Sequence, residues 1–151
     1  MQIVGDENMK NFVVIMLFTK DYKKVLLVKR NKKPYQGMWN GIGGKIEEGE
    51  TEINAAKREC FEETKIKLEN PKLLVTYKYP ESNPKNSGTN LNVIYDFVEE
   101  VKVLDNYEGT YEWKPVEFVM DSESREIAGF SNLCQFVKEI FDIENIKRFY
   151  E

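Results

Sequence analysis

The chain is 151 residues long, the size of one domain with a real core and short for two. Its residues are 41% apolar and 32% charged, and the net charge of -4 excludes a general nucleic-acid-binding surface, which would be basic. The sequence contains no histidine, so Ser-His-Asp and Cys-His hydrolysis in their usual forms, and histidine ligation of a transition metal, are excluded.

Residues 1–151 read as a single domain, with residues 1–10 a loose lead-in. The run "FVVIMLF" (residues 12–18) follows acidic Asp6 and Glu7 and precedes "TKDYKK", flanks unlike those of a signal peptide. It is too short to span a membrane and reads as a buried strand, so no membrane partner is expected. A second apolar run, "KVLLVKR", lies beyond Lys20 to Lys23 and reads as the other half of a hairpin or as a neighbouring strand. Lys29, Arg30, Lys32 and Lys33 form the densest positive cluster, either a solvated strand end or a contact for phosphate.

Residues 31–50 are rich in Gly, Pro, Asn and Lys and read as a long loop around a short strand near Trp39 to Ile42. Thr51 to Thr64 reads as a helix with Thr51 as its N-cap. Two strands follow. "KLLVTYKY" places Leu73, Val75, Tyr77 and Tyr79 on one face, and "LNVIYDFV" does the same with Leu91, Val93, Tyr95 and Phe97. The polar "PESNPKNSGTN" between them is a turn or loop. "TYEWKPV" reads as another strand, and Leu133, Phe136, Val137, Ile140 and Phe141 recur at helical spacing near the C-terminus. Interleaved helices and strands in one domain imply an α/β fold, a mixed sheet flanked by helices. Cys60 and Cys134 have neither C-x-x-C spacing nor histidine partners, so neither a disulfide framework nor a zinc site is indicated, and a reducing, cytoplasmic setting fits.

The segment "GGKIEEGETEINAAKRECFEET" (residues 43–64) carries seven glutamates. On a helix Glu59, Glu62 and Glu63 share a face with Ala55, and like charges so placed repel. Arg58 alone cannot neutralise three carboxylates, whereas a divalent cation can. Carboxylates without histidine or thiolate partners favour hard ions, Mg²⁺ first and Mn²⁺ as a substitute. Ala55 reads as a small residue leaving room for an anion over the metals. Ile53, Ala56, Cys60 and Thr64 form the flank that packs on the sheet. Acidic helix faces are often merely solvated, but Gly41, Gly43 and Gly44 just ahead of this one allow backbone to approach a ligand closely.

These residues resemble the box of the Nudix hydrolases, G-x5-E-x7-R-E-U-x-E-E-x-G-U with U a bulky apolar residue. Gly44, Glu50, Arg58, Glu59, Glu62, Glu63 and Ile66 fall in register with it, Cys60 stands at an aliphatic position, and Lys65 replaces the last glycine. The resemblance implies an α/β/α sandwich and hydrolysis of a nucleoside diphosphate linked to another group. It also implies that Glu59, Glu62 and Glu63, with the Gly43 carbonyl and Glu108 or Glu112 from beyond the box, bind metal, and that one of the three box glutamates activates water. Arg58 would orient the carboxylates, Gly44 and Glu50 would be structural, and Arg30 and Lys45 would contact phosphates.

Within the family, the run "GMWNGIGGKIEEGE" is similar to the MutT-type triphosphatases of oxidised purine nucleotides. That similarity implies that Asn40 reads the base and Trp39 flanks it. Asn132 is the stand-in for base-reading aspartates that "SREIAGFSNL" lacks. The expected partner is a nucleotide, not a nucleic-acid polymer. Other nucleoside diphosphate derivatives, such as dinucleoside polyphosphates, nucleotide sugars and ADP-ribose, and a non-catalytic nucleotide-binding module are the alternatives.

Overall fold

Strand β1 (Lys10–Thr19) is apolar along nearly its whole length because it is covered on both faces. Every residue from Val13 to Thr19 is buried, which is why its sequence runs without polar alternation. In this computed structural model, which describes residues 9–33, 35–79, 88–121, 126–127 and 132–147, β1 is the central strand of a mixed sheet. It pairs in parallel with β6 (Thr89–Val98) and antiparallel with β4 (Ile42–Lys45), and it meets β2 (Lys24–Arg30) where Phe18 faces Val25. On the far side, β2 carries β3 (Trp39–Asn40) and β7 (Gly109–Pro115). The opposite edge is β5 (Lys72–Tyr79), antiparallel to β6.

Alternate β1 side chains feed two cores. Val13, Ile15 and Leu17 pack with Ala55, Ala56 and Cys60 of helix α1 (Glu52–Thr64). Val14, Met16 and Phe18 pack with Leu133, Phe136, Val137, Ile140 and Phe141 of helix α3 (Asn132–Ile143) and with Val116 and Val119 of helix α2 (Val116–Asp121). The chain is therefore an α/β/α sandwich, the architecture expected above. Residues 1–8 of the lead-in, the 80–87 part of the polar loop and most of "SREIAGFSNL" lie outside the described residues, and Lys10, read as lead-in, already belongs to β1. Among the described residues no helix is long and apolar enough to cross a membrane.

Three details depart from the sequence reading. A register shift between Leu73 and Val75 breaks the alternation of β5, so Leu74, Val75 and Tyr77 face the core while Leu73 is exposed. The short helix α2 follows directly on Pro115 and has no counterpart in the expected elements. Ala55 is fully buried between α1 and the sheet, so its small side chain serves close helix–sheet packing instead of leaving space for a ligand.

The end of α1 behaves as its box position requires. Lys65 adopts the left-handed conformation, φ 66° and ψ 11°, and its N–H donates to the Phe61 carbonyl at 2.9 Å. A side chain there costs energy that glycine avoids. Lys65→Gly should therefore raise stability by roughly 0.5–1 kcal/mol, read as a higher Tm. A lower Tm would show that contacts of the lysine, with the Phe61 ring 5.6 Å from its ammonium, outweigh the backbone strain.

Candidate active site

Helix α1 is set by local chemistry at its start: the Thr51 hydroxyl accepts from the Asn54 N–H at 3.1 Å. Its buried flank, Ala55, Ala56, Cys60 and Thr64, lies on the sheet, with the Thr64 hydroxyl donating back to the Cys60 carbonyl at 2.7 Å. Burial pushes the Cys60 thiol up to about 11, so it is a core residue and not a nucleophile. The next face turns its glutamates toward β4 and β7.

Gly43 and Gly44 answer to different neighbours. A Cβ on Gly43 would lie 2.1 Å from the Val13 carbonyl oxygen of β1, whereas one on Gly44 would lie 2.3 Å from the carboxyl carbon of Glu59. Gly43 is thus demanded by strand pairing, and Gly44 leaves the space that the Glu59 carboxylate fills.

Arg58 organises one side of the acidic face. Its Nε and Nη2 donate to the two Glu50 oxygens at 2.7 and 2.9 Å, and Nη2 also donates to the Lys45 carbonyl at 3.0 Å. Its Nη1 donates to Glu59 Oε1 at 3.0 Å and to Glu62 Oε1 at 2.9 Å. The Arg58 guanidinium, helped by the Glu47 N–H, holds the Glu50 carboxyl down at about 2, and hydrogen bonds to Glu50, Glu59 and Glu62 raise Arg58 above its ordinary value. Glu50 and Arg58 are therefore a structural brace between the loop after β4 and the helix.

Glu63 lies on the other side, against β7. The Tyr111 hydroxyl donates to its Oε1 at 2.8 Å. Burial nevertheless pushes the Glu63 carboxyl up to about 8, with the negative charges of Glu59 and Glu108 adding to the rise. Burial raises Glu59 as well, against the pull of Arg58. Glu108 sits at the tip of a tight turn closed by reciprocal backbone hydrogen bonds of 3.1 Å between Asn106 and Gly109. Its carboxylate lies 3.5 Å from the Lys32 ammonium. Glu112, the alternative beyond the box, points away and pairs with Lys114 at 2.8 Å.

The structure thus brings Glu59, Glu63 and Glu108 into one electrostatic group, with Gly44 beneath Glu59. Glu62, half-exposed, is drawn off toward Arg58. Among the described residues, no three acidic or cysteine side chains stand close enough together to hold an ion as arranged. The donor chemistry still fits a hard divalent cation. All the donors are oxygens, and partial burial, with the neighbouring negative charges adding to it, makes the Glu59 and Glu63 carboxyls hold their protons more tightly than usual.

The expected substrate contacts are more dispersed. Arg30 ends β2 in register with Gly109, which places it beside the Glu108 turn, and Lys45 is exposed at the end of β4. The Asn40 carboxamide oxygen accepts from the Gly41 N–H at 2.8 Å, leaving its NH₂ group as the donor it offers. Trp39 is only 8% exposed, its ring met edge-on by Phe118 and covered by the Lys114 ammonium 4.4 Å from its centroid. Asn132 is exposed at the start of α3. Tyr111 and Asn106 were not singled out from sequence as site residues, because nothing in β-strand periodicity marks a hydroxyl or amide as facing a carboxylate.

A family model described as the NUDIX domain matches residues 8–129. The chain belongs to the NUDIX domain family. Over 84 residues it is 35% identical to an ADP-ribose pyrophosphatase of Methanocaldococcus jannaschii, covering 55% of this chain and 50% of that one. Over 47 residues it is 43% identical to an oxidized purine nucleoside triphosphate hydrolase of Mus musculus, covering 31% of this chain and 30% of that one. The matches therefore span half or less of the length of these curated relatives. The structure of a MutT protein from Bacillus halodurans superposes with a TM-score of 0.68 at 26% identity, covering 87% of this chain and 81% of that one.

The two glycines separate fold from site. Gly43→Ala should destabilise the protein by about 1–3 kcal/mol, since the backbone of β1 must move. Gly44→Ala should cost less than Gly43→Ala, because the end of the Glu59 side chain gives way in place of strand backbone. Chemical denaturation of both variants checks this, and equal losses would refute the assignment of Gly44 to the carboxylate.

Proposed function

We infer that the protein is a divalent-cation-dependent pyrophosphohydrolase that converts a nucleoside triphosphate to the monophosphate and pyrophosphate, with an oxidised guanine nucleotide as the favoured substrate. The observation that carries this reading is the grouping of two half-buried carboxylates, Glu59 braced by Arg58 and Glu63 held by Tyr111, beside Glu108 in a NUDIX chain. Glu59, Glu62, Glu63, Glu108 and the Gly43 carbonyl would hold the cation, Mg²⁺ first and Mn²⁺ in its place. When bound, the cation supplies charge neutralisation at the bridging phosphates and acidifies water.

The remaining tasks fall to the chain itself. Arg58 keeps Glu59 aligned by a charge-assisted hydrogen bond of 3.0 Å. Lys32, already against Glu108, and Arg30 and Lys45 meet the negative charge of the phosphate chain. A buried carboxylate of this group takes the proton of the attacking water, whose oxygen bonds to phosphorus as the bridging oxygen leaves with pyrophosphate. Asn40 offers its NH₂ to a base carbonyl, and Trp39, fixed between Lys114 and Phe118, forms the floor beside it. The similarity to the mouse oxidized purine nucleoside triphosphate hydrolase supports the substrate preference.

A second reading, hydrolysis of ADP-ribose, is favoured by the 35% identity to the archaeal ADP-ribose pyrophosphatase. Both readings place one domain over residues 1–151, in a reducing cytoplasm compatible with two free cysteines.

A substrate panel of oxidised and normal deoxyguanosine triphosphates, dinucleoside polyphosphates and ADP-ribose, read out by released pyrophosphate and monophosphate with saturating Mg²⁺, tests the reading. The oxidised triphosphate should give the highest kcat/KM, and a higher value for ADP-ribose would install the second reading. Glu63→Gln keeps a partner for Tyr111 yet replaces a carboxylate that can ionise onto a cation with a neutral amide, so turnover should fall at least about a hundredfold while the Tm of the metal-free protein holds or rises. If wild type and variant turned over every substrate equally slowly while binding nucleotide, the protein would be a binding module.

A further inference from the structure

Glu63 differs from Glu59 and Glu62 in having no bond to Arg58. Its orientation comes instead from β7 and from the turn that precedes it. The Tyr111 hydroxyl donates to Glu63 Oε1 at 2.8 Å, and that hydroxyl also lies 3.4 Å from Asn106 Oδ1. The Asn106 amide nitrogen donates to the backbone carbonyl of Glu63 at 3.0 Å, so one residue reaches both the main chain and, through Tyr111, the side chain of the same glutamate. Asn106 Oδ1 further accepts from the Glu108 N–H at 2.8 Å. The backbone of Tyr111 is fixed in turn, its N–H donating to Asp105 Oδ1 at 3.2 Å, and its ring is 5% exposed in the α1-side core.

Resting on the reading of Glu63 and Glu108 as cation-binding groups, we propose that Tyr111 and Asn106 are positioning residues, Tyr111 aiming the Glu63 carboxylate and Asn106 fixing the main chain of Glu63 against the turn that carries Glu108. A carboxylate held at one oxygen by a hydroxyl presents the other in a single direction, and fixing a ligand before the ion arrives removes the ordering that binding would otherwise require. Asn106 is the joint: its amide nitrogen holds the Glu63 carbonyl in the last turn of α1 and its oxygen holds the Glu108 N–H, so the two main-chain positions keep a fixed spacing. This arrangement is separate from the Arg58 brace, which holds Glu59 and Glu62 from the opposite side.

Tyr111→Phe removes only the hydroxyl from a well-packed ring, and Asn106→Ala removes the joint. Binding of Mn²⁺ alone, followed by the electron paramagnetic resonance signal of the free ion without nucleotide, should weaken at least about tenfold in Tyr111→Phe. The Tm of the metal-free variant should stay close to that of the wild type. The two losses should be less than additive in the double variant, because both act through Glu63. In turnover assays the Mg²⁺ concentration for half activation should rise, while KM for the nucleotide at saturating Mg²⁺ stays put. Wild-type Mn²⁺ binding with unchanged affinity in Tyr111→Phe would overturn the positioning role alone. Failure of the wild type to bind Mn²⁺ would overturn it together with the cation-site reading beneath it.

Discussion

Arg58 directs its guanidinium at Glu50, Glu59, Glu62 and the Lys45 carbonyl, and those contacts bind the loop after β4 to the helix that follows it. Without this guanidinium the second half of α1 would bring several carboxylates together with nothing to offset their repulsion. With it, the end of β4 that carries Gly44 is drawn against the helix closely enough that the Glu59 carboxylate takes the space of a missing Cβ. Removing one partner from such a partly buried network leaves the others charged and unpaired, which costs far more than the network contributes as a whole. The brace and the glycine are therefore one device: the arginine supplies attraction and the glycine supplies room.

The compensation is one-sided by design of the fold. Arg58 reaches Glu59 from the loop side, while Glu63 faces β7 and receives only a neutral hydroxyl. A hydroxyl orients a carboxylate but does not cancel its charge. Burial then works on an uncompensated group, and the Glu63 carboxyl rises to about 8 while Glu50, doubly bonded to Arg58, falls to about 2. Glutamates a few residues apart thus end in opposite electrostatic conditions because their neighbours belong to different elements.

Much of this was written in local sequence. The α1 start is a Thr51 side-chain cap, its end is a left-handed residue at the position the box assigns to glycine, and the buried flank of Ala56, Cys60 and Thr64 follows from helical period alone. The β1 run and the α3 stripe were legible for the same reason, since each depends on how apolar residues recur along one segment. What depended on a second segment was not legible. The bulge in β5 is a matter of register with β6, α2 is too short to show a period, and Ala55 looks solvent-facing until the tilt of α1 on the sheet is known. Likewise, Glu62 departs from the other glutamates because Arg58 lies one turn away, and Trp39 is covered by Lys114 and Phe118 from distant strands and helices. Of Glu108 and Glu112, strand geometry alone decides which one faces Glu63.

The central claim is that charge left uncompensated between Glu59, Glu63 and Glu108 is a site for a hard divalent cation. An ion that binds only the folded chain raises its stability by RT ln(1 + [L]/Kd), about 2.7 kcal/mol at a hundred times Kd. Differential scanning calorimetry of the unmodified protein in Mg²⁺, against NaCl of equal ionic strength, measures this directly. The account predicts a Tm that climbs with the logarithm of Mg²⁺ concentration once Kd is passed. A Tm in Mg²⁺ equal to that in matched NaCl at every concentration would contradict it.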